Sequence, residues 1–150
     1  MNITKININT NNHKYPIIIG SGVATKLSKF LNENSFSYEK CLFIIDKKVP
    51  KKITNKILKS INKKKIIYYF NANEKNKNQS SVNNILEILF KNNFHRNDCL
   101  ISIGGGITGD VVGFVASIFK RGIKFINIPT TLLAQVDSSI GGKTGINSKH

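Results

Sequence analysis

The run from Cys99 to Asn147, CLISIGGGITGDVVGFVASIFKRGIKFINIPTTLLAQVDSSIGGKTGIN, constrains this chain more than any other feature. An apolar stretch, Cys99 to Ile103, stops at a cluster of glycines: Gly104, Gly105, Gly106 and Gly109. A short unbroken apolar run of this kind reads as a buried parallel strand. From Val111 onward, Val111, Val112, Val115, Ile118 and Phe119 recur at helical spacing, and Gly122 supplies a stop. Strand, glycines and helix together bring free backbone N–H groups and the positive helix end to one point. That arrangement takes an anion, most often a phosphate or pyrophosphate. A second strand, a Pro-Thr-Thr turn at Pro129–Thr131 and the polar run through Gly142-Lys143-Thr144-Gly145 complete the segment.

Ordinary nucleotide fingerprints do not fit. Gly104, Gly106 and Gly109 match G-x-G-x-x-G, but that pattern also wants an acid about 20 residues on, at the end of the next strand. Ile128, Pro129 and Thr130 stand there instead. Gly142-Lys143-Thr144 resembles the end of a P-loop, yet the glycine that the motif needs five residues earlier is Asp137. Gly20-Ser21-Gly22 is too short for a fingerprint and reads as a plain turn.

With 150 residues, 40% of them hydrophobic, the chain can build one domain with a real core. Its formal charge of +15 would suggest a polyanion partner, but only Arg96 and Arg121 are arginines. The rest is lysine, scattered among abundant Asn and Ile, without the arginine forks and aromatic stacking patches of a nucleic-acid reader. No nucleic-acid partner is expected. Cys41 and Cys99 are isolated, each opening an apolar strand, and read as buried small hydrophobes in a reducing compartment. The N-terminus lacks a signal-peptide core and no run is long enough to span a membrane, so a soluble cytoplasmic protein without membrane partners is expected. His13, His95 and His150 are scattered and form no metal cluster.

Along the chain, Ile3 to Ile8 and Tyr15 to Ile19 read as strands joined by a turn at Asn9 to His13. Val23, Leu27, Phe30 and Leu31 mark one face of a helix. Cys41 to Ile45 is a strand ending at Asp46, and Pro50 opens a helix with an apolar face at Ile53, Ile57 and Ile61. Ile66 to Phe70 is a strand, Asn71 to Ser80 a polar loop, and Val82, Ile85, Leu86 and Leu89 one side of a helix. Lys124 to Ile128 is the last strand. Strands and helices in alternation predict an α/β fold, a Rossmann-like parallel sheet with flanking helices. Ligands of such sheets bind beyond the carboxyl ends of the strands, where Asp46, Asn73 to Lys77, the glycine turn and Thr130-Thr131 converge.

The segments GGGITGDVVGF, KRGIKFINIPTTLLAQVDSSIGGKTGIN and NEKNK resemble the 3-dehydroquinate synthase family, NAD-dependent cyclases of the shikimate pathway of aromatic amino acid biosynthesis. The resemblance runs through the whole chain in order and implies the N-terminal, NAD-binding domain of that fold. It assigns Gly105, Gly106, Ile107, Thr108, Gly109 and Asp110 to the NAD pyrophosphate, with the helix after Gly109 donating N–H groups. Thr130 and Thr131 would bond the nicotinamide half and Asp46 the adenosine ribose. Asn73, Glu74 and Lys77, matching a Gly-Glu-x-x-Lys element, would border the dinucleotide. Asp137 and Lys143 would contact the substrate, the lysine within reach of the cofactor as well. Arg121 would reach a substrate phosphate in the neighbouring subunit of a homodimer. The implied reaction converts 3-deoxy-D-arabino-heptulosonate 7-phosphate to 3-dehydroquinate and phosphate, through a hydride lent to NAD⁺ and returned. A divalent metal, zinc or cobalt, polarises the oxygen at the oxidised carbon.

Two departures accompany the resemblance. Asn73 replaces the family's glycine, which asks for a residue tolerant of the left-handed region. Family members are about twice this length, and their helical C-terminal domain carries the metal-binding glutamate and two histidines. The chain therefore reads as a single domain, residues 1–150, a fragment or truncated product without metal ligands. Related sugar-phosphate cyclases (aminodehydroquinate or inosose synthases) and a catalytically inert NAD-binding module are the alternatives.

Overall fold

A computed structural model describes residues 2–9 and 14–148. The chain divides into two compact units, residues 1–36 with 55–62, and residues 37–54 with 63–150. In the first unit, β1 (Thr4–Asn9) and β2 (Lys14–Ile19) pair antiparallel with Thr4 opposite Ile19. The expected turn at Asn9 to His13 falls mostly outside the described residues, as do His13 and His150. Gly20-Ser21-Gly22 is the plain turn expected, with Gly22 at φ 74° leading into a 3-10 helix, Val23–Lys26, and then α1 (Leu27–Glu33). Leu27 and Leu31 are its buried positions.

The second unit is a four-stranded, fully parallel sheet in the order β4-β3-β5-β6. Its strands are β3 (Lys40–Asp46), β4 (Lys64–Phe70), β5 (Cys99–Gly104) and β6 (Lys124–Pro129). β5 is buried along its whole length and β3 from Cys41 onward, which is why both read as continuous apolar runs. Two thirteen-residue helices, α3 (Gln79–Lys91) and α4 (Gly106–Ile118), pack together. Val82, Ile85 and Leu89 of α3 and Val111, Val112 and Val115 of α4 share one core with Leu42, Ile44, Phe94 and Leu100. Each such side chain contributes on the order of 1.5–3 kcal/mol through burial. Cys41 and Cys99 lie opposite each other in the β3–β5 register, both fully buried and both free thiols.

The sequence reading of the helix after Pro50 needs one correction. α2 (Lys51–Lys59) buries Thr54, Ile57 and Leu58, with Ile61 just beyond it, while Ile53 is 47% exposed. The positions 54, 57, 58 and 61 form the true i, i+3, i+4, i+7 stripe, and it includes a threonine that an apolar count overlooks. Thr54 donates its hydroxyl to the carbonyl of Lys51, which satisfies the polar atom within the helix.

Candidate functional site

The strand order determines where a ligand can sit. From β3 the chain moves outward to β4, whereas from β5 it moves the other way to β6. The carboxyl ends of β3 and β5 therefore flank a topological switch point, the crevice where open α/β sheets bind ligands. Asp46 ends one strand and Gly104 the other, and the pairing of Ile45 with Ile103 brings them level.

At Gly104 the approach is close. A Cβ there would lie 2.5 Å from Thr108 Oγ1, 2.7 Å from Thr108 Cβ and 3.0 Å from Asp46 Cβ. Gly105 caps α4 in an extended conformation, and the helix begins at Gly106 rather than after Gly109. Glycine is a poor helix former, so side-chain periodicity detects this helix a turn late; the tertiary contacts override propensity. The glycines are thus the first turn itself. Gly109 donates its N–H to Gly105, and the N–H groups of Gly106, Ile107 and Thr108 have no intrahelical acceptor. Gly105 has no side chain to cap them.

Other elements close around this turn. Thr130 donates its N–H to the carbonyl of Gly104 at 2.8 Å, joining the Pro-Thr-Thr turn to the end of β5. A Cβ on Gly105 would meet Thr131 Cγ2 at 3.3 Å, and one on Gly106 would meet Ser138 Oγ at 3.0 Å. Ser138 ends a π-helical turn, Ala134–Ser138, where the polar run of the sequence gave no helical signal. Asp137 lies exposed on that turn, and Lys143 is exposed just after Gly141 and Gly142, at φ 91° and 69°. Asp46, Thr130, Thr131 and the glycine turn are therefore brought together as expected.

Asp46 is 9% exposed, and its Oδ1 accepts from the Lys48 N–H at 3.0 Å. Thr108 Oγ1 is fully buried and, among the described residues, has no hydrogen-bond partner. Lys77 Nζ meets Asp110 Oδ2 at 2.5 Å, with the two side chains only 22% and 17% exposed. Glu74 Oε1 accepts from Asn147 Nδ2 at 2.7 Å. Asn73 departs from expectation: it sits at φ −149°, extended, and its side chain accepts from the Asn76 N–H. The position is a helix N-cap, a role for which Asn is well suited, and no left-handed residue is required.

Arg121 stands apart. It lies at φ 67° beyond α4, before β6 begins, at the end of the sheet opposite the glycine turn. His95 is exposed near it, 3.4 Å from Lys120 Nζ. Among the described residues no group of three His, Cys, Asp or Glu side chains could hold a metal ion. No helix among them is long and apolar enough to cross a membrane.

Sequence reading missed Ser138, Asn147 and the pair Ser102–Asn127. Ser102 donates its hydroxyl to Asn127 Oδ1 at 2.6 Å, and a Cβ on Gly109 would meet the same amide at 3.1 Å. A polar residue facing its register partner in two apolar strands was the available signal.

Comparison with known proteins gives the family. The family profile 3-dehydroquinate synthase N-terminal matches residues 67–150. A 3-dehydroquinate synthase of Pelagibacter ubique (strain HTCC1062) is 61% identical over 151 residues, covering 100% of this chain and 41% of the relative. The crystal structure of 2-deoxy-scyllo-inosose synthase, complexed with carbaglucose-6-phosphate, NAD⁺ and Co²⁺, superposes with a TM-score of 0.88 at 26% identity. It is matched over 97% of this chain and 41% of its own. A 2-epi-5-epi-valiolone synthase from Streptomyces hygroscopicus subsp. jinggangensis 5008, with NAD⁺ and Zn²⁺ bound, gives 0.69 at 26% identity, over 75% of this chain and 32% of that one. The chain spans about two fifths of the length of the curated relatives it matches. With the profile covering more than half of its residues, the chain belongs to the 3-dehydroquinate synthase family.

Proposed function

We propose that this chain is the dinucleotide-binding part of a 3-dehydroquinate synthase, acting on 3-deoxy-D-arabino-heptulosonate 7-phosphate. One observation carries the reading: the first turn of α4 leaves its N–H groups without acceptors at the switch point between Asp46 and Gly104. A pyrophosphate fits there, because the helix end offers donors and positive charge and the absent Cβ atoms leave the backbone reachable. The unpartnered hydroxyl of Thr108 beside Asp46 fits a polar ligand as well.

In this reading Gly105, Gly106, Ile107, Thr108 and Gly109 bind the pyrophosphate, Asp46 accepts from the ribose hydroxyls and Thr130 and Thr131 orient the nicotinamide half. NAD⁺, when bound, supplies reversible hydride acceptance. Lys77 neutralises Asp110, whose carboxylate would otherwise repel an anion near the helix start. Asp137 and Lys143 face the substrate, the lysine answering its phosphate and carboxylate charge. Arg121, at the other end of the sheet, serves the site of a second copy, which makes the working enzyme a homodimer. None of the described residues is assigned to a metal in this reading. Exposed Leu132, Leu133 and Val136, beside the π-helical turn, support a site completed by further polypeptide. The buried free thiols suit a cytoplasmic location. The 61% identity to a 3-dehydroquinate synthase favours this reaction over that of the inosose synthases.

Calorimetric titration tests the reading. The 150-residue chain is expected to bind NAD⁺ and, mixed with substrate, NAD⁺ and Zn²⁺, to release no phosphate above background. Gly106→Ala should weaken NAD⁺ binding at least tenfold with unchanged circular dichroism, because only the Ser138 hydroxyl must move to admit the methyl. A larger residue such as Val would also press on the π-helical turn. No NAD⁺ binding by the folded chain, or affinity unaffected by Gly106→Ala, would overturn the assignment.

A further inference from the structure

The loop that carries Lys143 is held by contacts that none of the roles above uses. After two glycines in the left-handed region, Gly141 and Gly142, the chain passes Lys143 and is then pinned at three successive points. Thr144 places its methyl group in the notch on α4 left by Gly113, so close that a Cβ on Gly113 would overlap it. Ile146 packs against the core formed by α3, α4 and the sheet. Asn147 closes the seat: its N–H donates to the carbonyl of Lys77 at 2.8 Å, and its amide Nδ2 donates to Glu74 Oε1 at 2.7 Å. Lys77 in turn holds Asp110 of α4 at 2.5 Å. One short turn, Glu74 to Lys77, therefore grips both the helix that starts at the glycines and the end of the Lys143 loop.

A lysine on a free glycine-rich loop would have to be ordered each time an anion arrives, and that entropy would be lost from binding. A seat formed beforehand removes the cost. We propose that Asn147 is a positioning residue: docked on Glu74 and Lys77, it fixes the loop so that Lys143 is held ready for an anionic sugar phosphate. The ligand named here rests on the function proposed above; the seat itself rests only on the contacts.

Hydrogen exchange and limited trypsin digestion of the 150-residue chain test it. Asn147→Ala should speed exchange of the residue-147 amide, which donates to the Lys77 carbonyl, roughly tenfold, since the neighbouring side-chain hydrogen bond to a charged acceptor is lost. It should accelerate cleavage after Lys143 to a similar degree. Glu74→Gln combined with Asn147→Asp exchanges amide and carboxylate across the pair and should restore both readings. The thermal midpoint and the exchange of α3 and β5 should stay as in the wild type, which a general loss of structure would not allow. Unchanged exchange and cleavage in Asn147→Ala, or an effect spread over the whole unit, would overturn the seat. A chain that shows the loop effect but binds no NAD⁺ would refute the proposed function and leave the seat standing; one that binds NAD⁺ without the loop effect would do the reverse.

Discussion

Gly104→Ala is the substitution whose consequence can be worked most fully from the structure. The added methyl would stand 2.5 Å from Thr108 Oγ1, 2.7 Å from Thr108 Cβ and 3.0 Å from Asp46 Cβ. Carbon atoms in good contact sit about 3.5–4.0 Å apart, so the nearer of these pairs must open by close to an ångström. Neither Cβ can swing away, because each is bonded directly to backbone in α4 or at the end of β3. The start of α4 must therefore move off the sheet. Overpacking of this kind costs about 1–3 kcal/mol, and the loss of unfolded-chain freedom on replacing glycine returns about 0.4–1 kcal/mol. The net is roughly 1–2 kcal/mol, or a fall in Tm of about 2–8 °C for a chain of this size. The same movement separates Asp46 from the helix N–H groups, so NAD⁺ affinity should drop at least tenfold. Gly145→Ala is the control, since nothing lies within 4 Å of the Cβ it would add and its Tm should not change. Differential scanning calorimetry and NAD⁺ titration check both. If Gly104→Ala melts within a degree of the wild type and binds NAD⁺ equally well, the tight junction of Gly104, Asp46 and Thr108 is not the geometry of the site.

Lys77→Met leaves the mostly buried Asp110 carboxylate without its cation and should destabilise the fold by about 2–4 kcal/mol, as breaking a largely buried pair does, with recovery when Asp110→Asn is added; chemical unfolding measures both. Asp46→Asn should weaken NAD⁺ binding about tenfold or more by calorimetry while the fold persists, because an acceptor for Lys48 survives and only the charged partner proposed for the ribose is lost. Burial pushes the Cys41 thiol from 9.0 up to about 12 and drives Cys99 well above the usual thiol range. Both thiols are favoured neutral in the fold, so their contribution to stability is complete below about pH 9; that of Cys41 is lost as pH rises through about 12, and that of Cys99 falls in the same direction. Urea midpoints should fall across that window, and Ellman's reagent at pH 8 should label neither cysteine until the chain is unfolded.

Where the sequence was legible, one physical cause sufficed. β5 is buried along its length, so burial shows directly as an apolar run from Cys99 to Ile103. α3 has one face toward the core, and Val82, Ile85 and Leu89 display it at helical spacing. The convergence of Asp46, Thr130, Thr131 and the glycine turn followed from parallel topology alone. Misreadings arose where two causes compete. The first turn of α4 is built from poor helix formers because close packing against Asp46, Thr131 and Ser138 excludes larger ones. Thr54 takes a core position because its hydroxyl is satisfied inside its own helix. Asn73 serves as a cap where a glycine was expected, so its tolerance of unusual backbone angles was beside the point. The Asn147 seat was illegible for another reason: Glu74, Gly113 and Asn147 are far apart in sequence, and no local pattern marks residues joined only by tertiary contact.

The acid that the ordinary dinucleotide fingerprint places on the next strand has a counterpart on another strand here. In that pattern the next strand lies beside the glycine-bearing strand on the side away from the switch point, and its end carries the acid about 20 residues downstream. Here β6 stands in the same place beside β5 but ends in Ile128 and Pro129, followed by Thr130, while the strand across the crevice is β3, which comes earlier in the chain. The position beside Gly104 is thus filled from upstream, by Asp46 at the end of β3. The ends of β5 and β6 are joined instead by backbone, through the Thr130 N–H and the Gly104 carbonyl. Ile128, Pro129 and Thr130 therefore need no carboxylate. A pattern read along the sequence fails because the carboxylate at the crevice comes from the strand opposite. A helix N-terminus stands on one wall and the Asp46 carboxylate on the other, the two groups that the proposed function uses for phosphate and for hydroxyls.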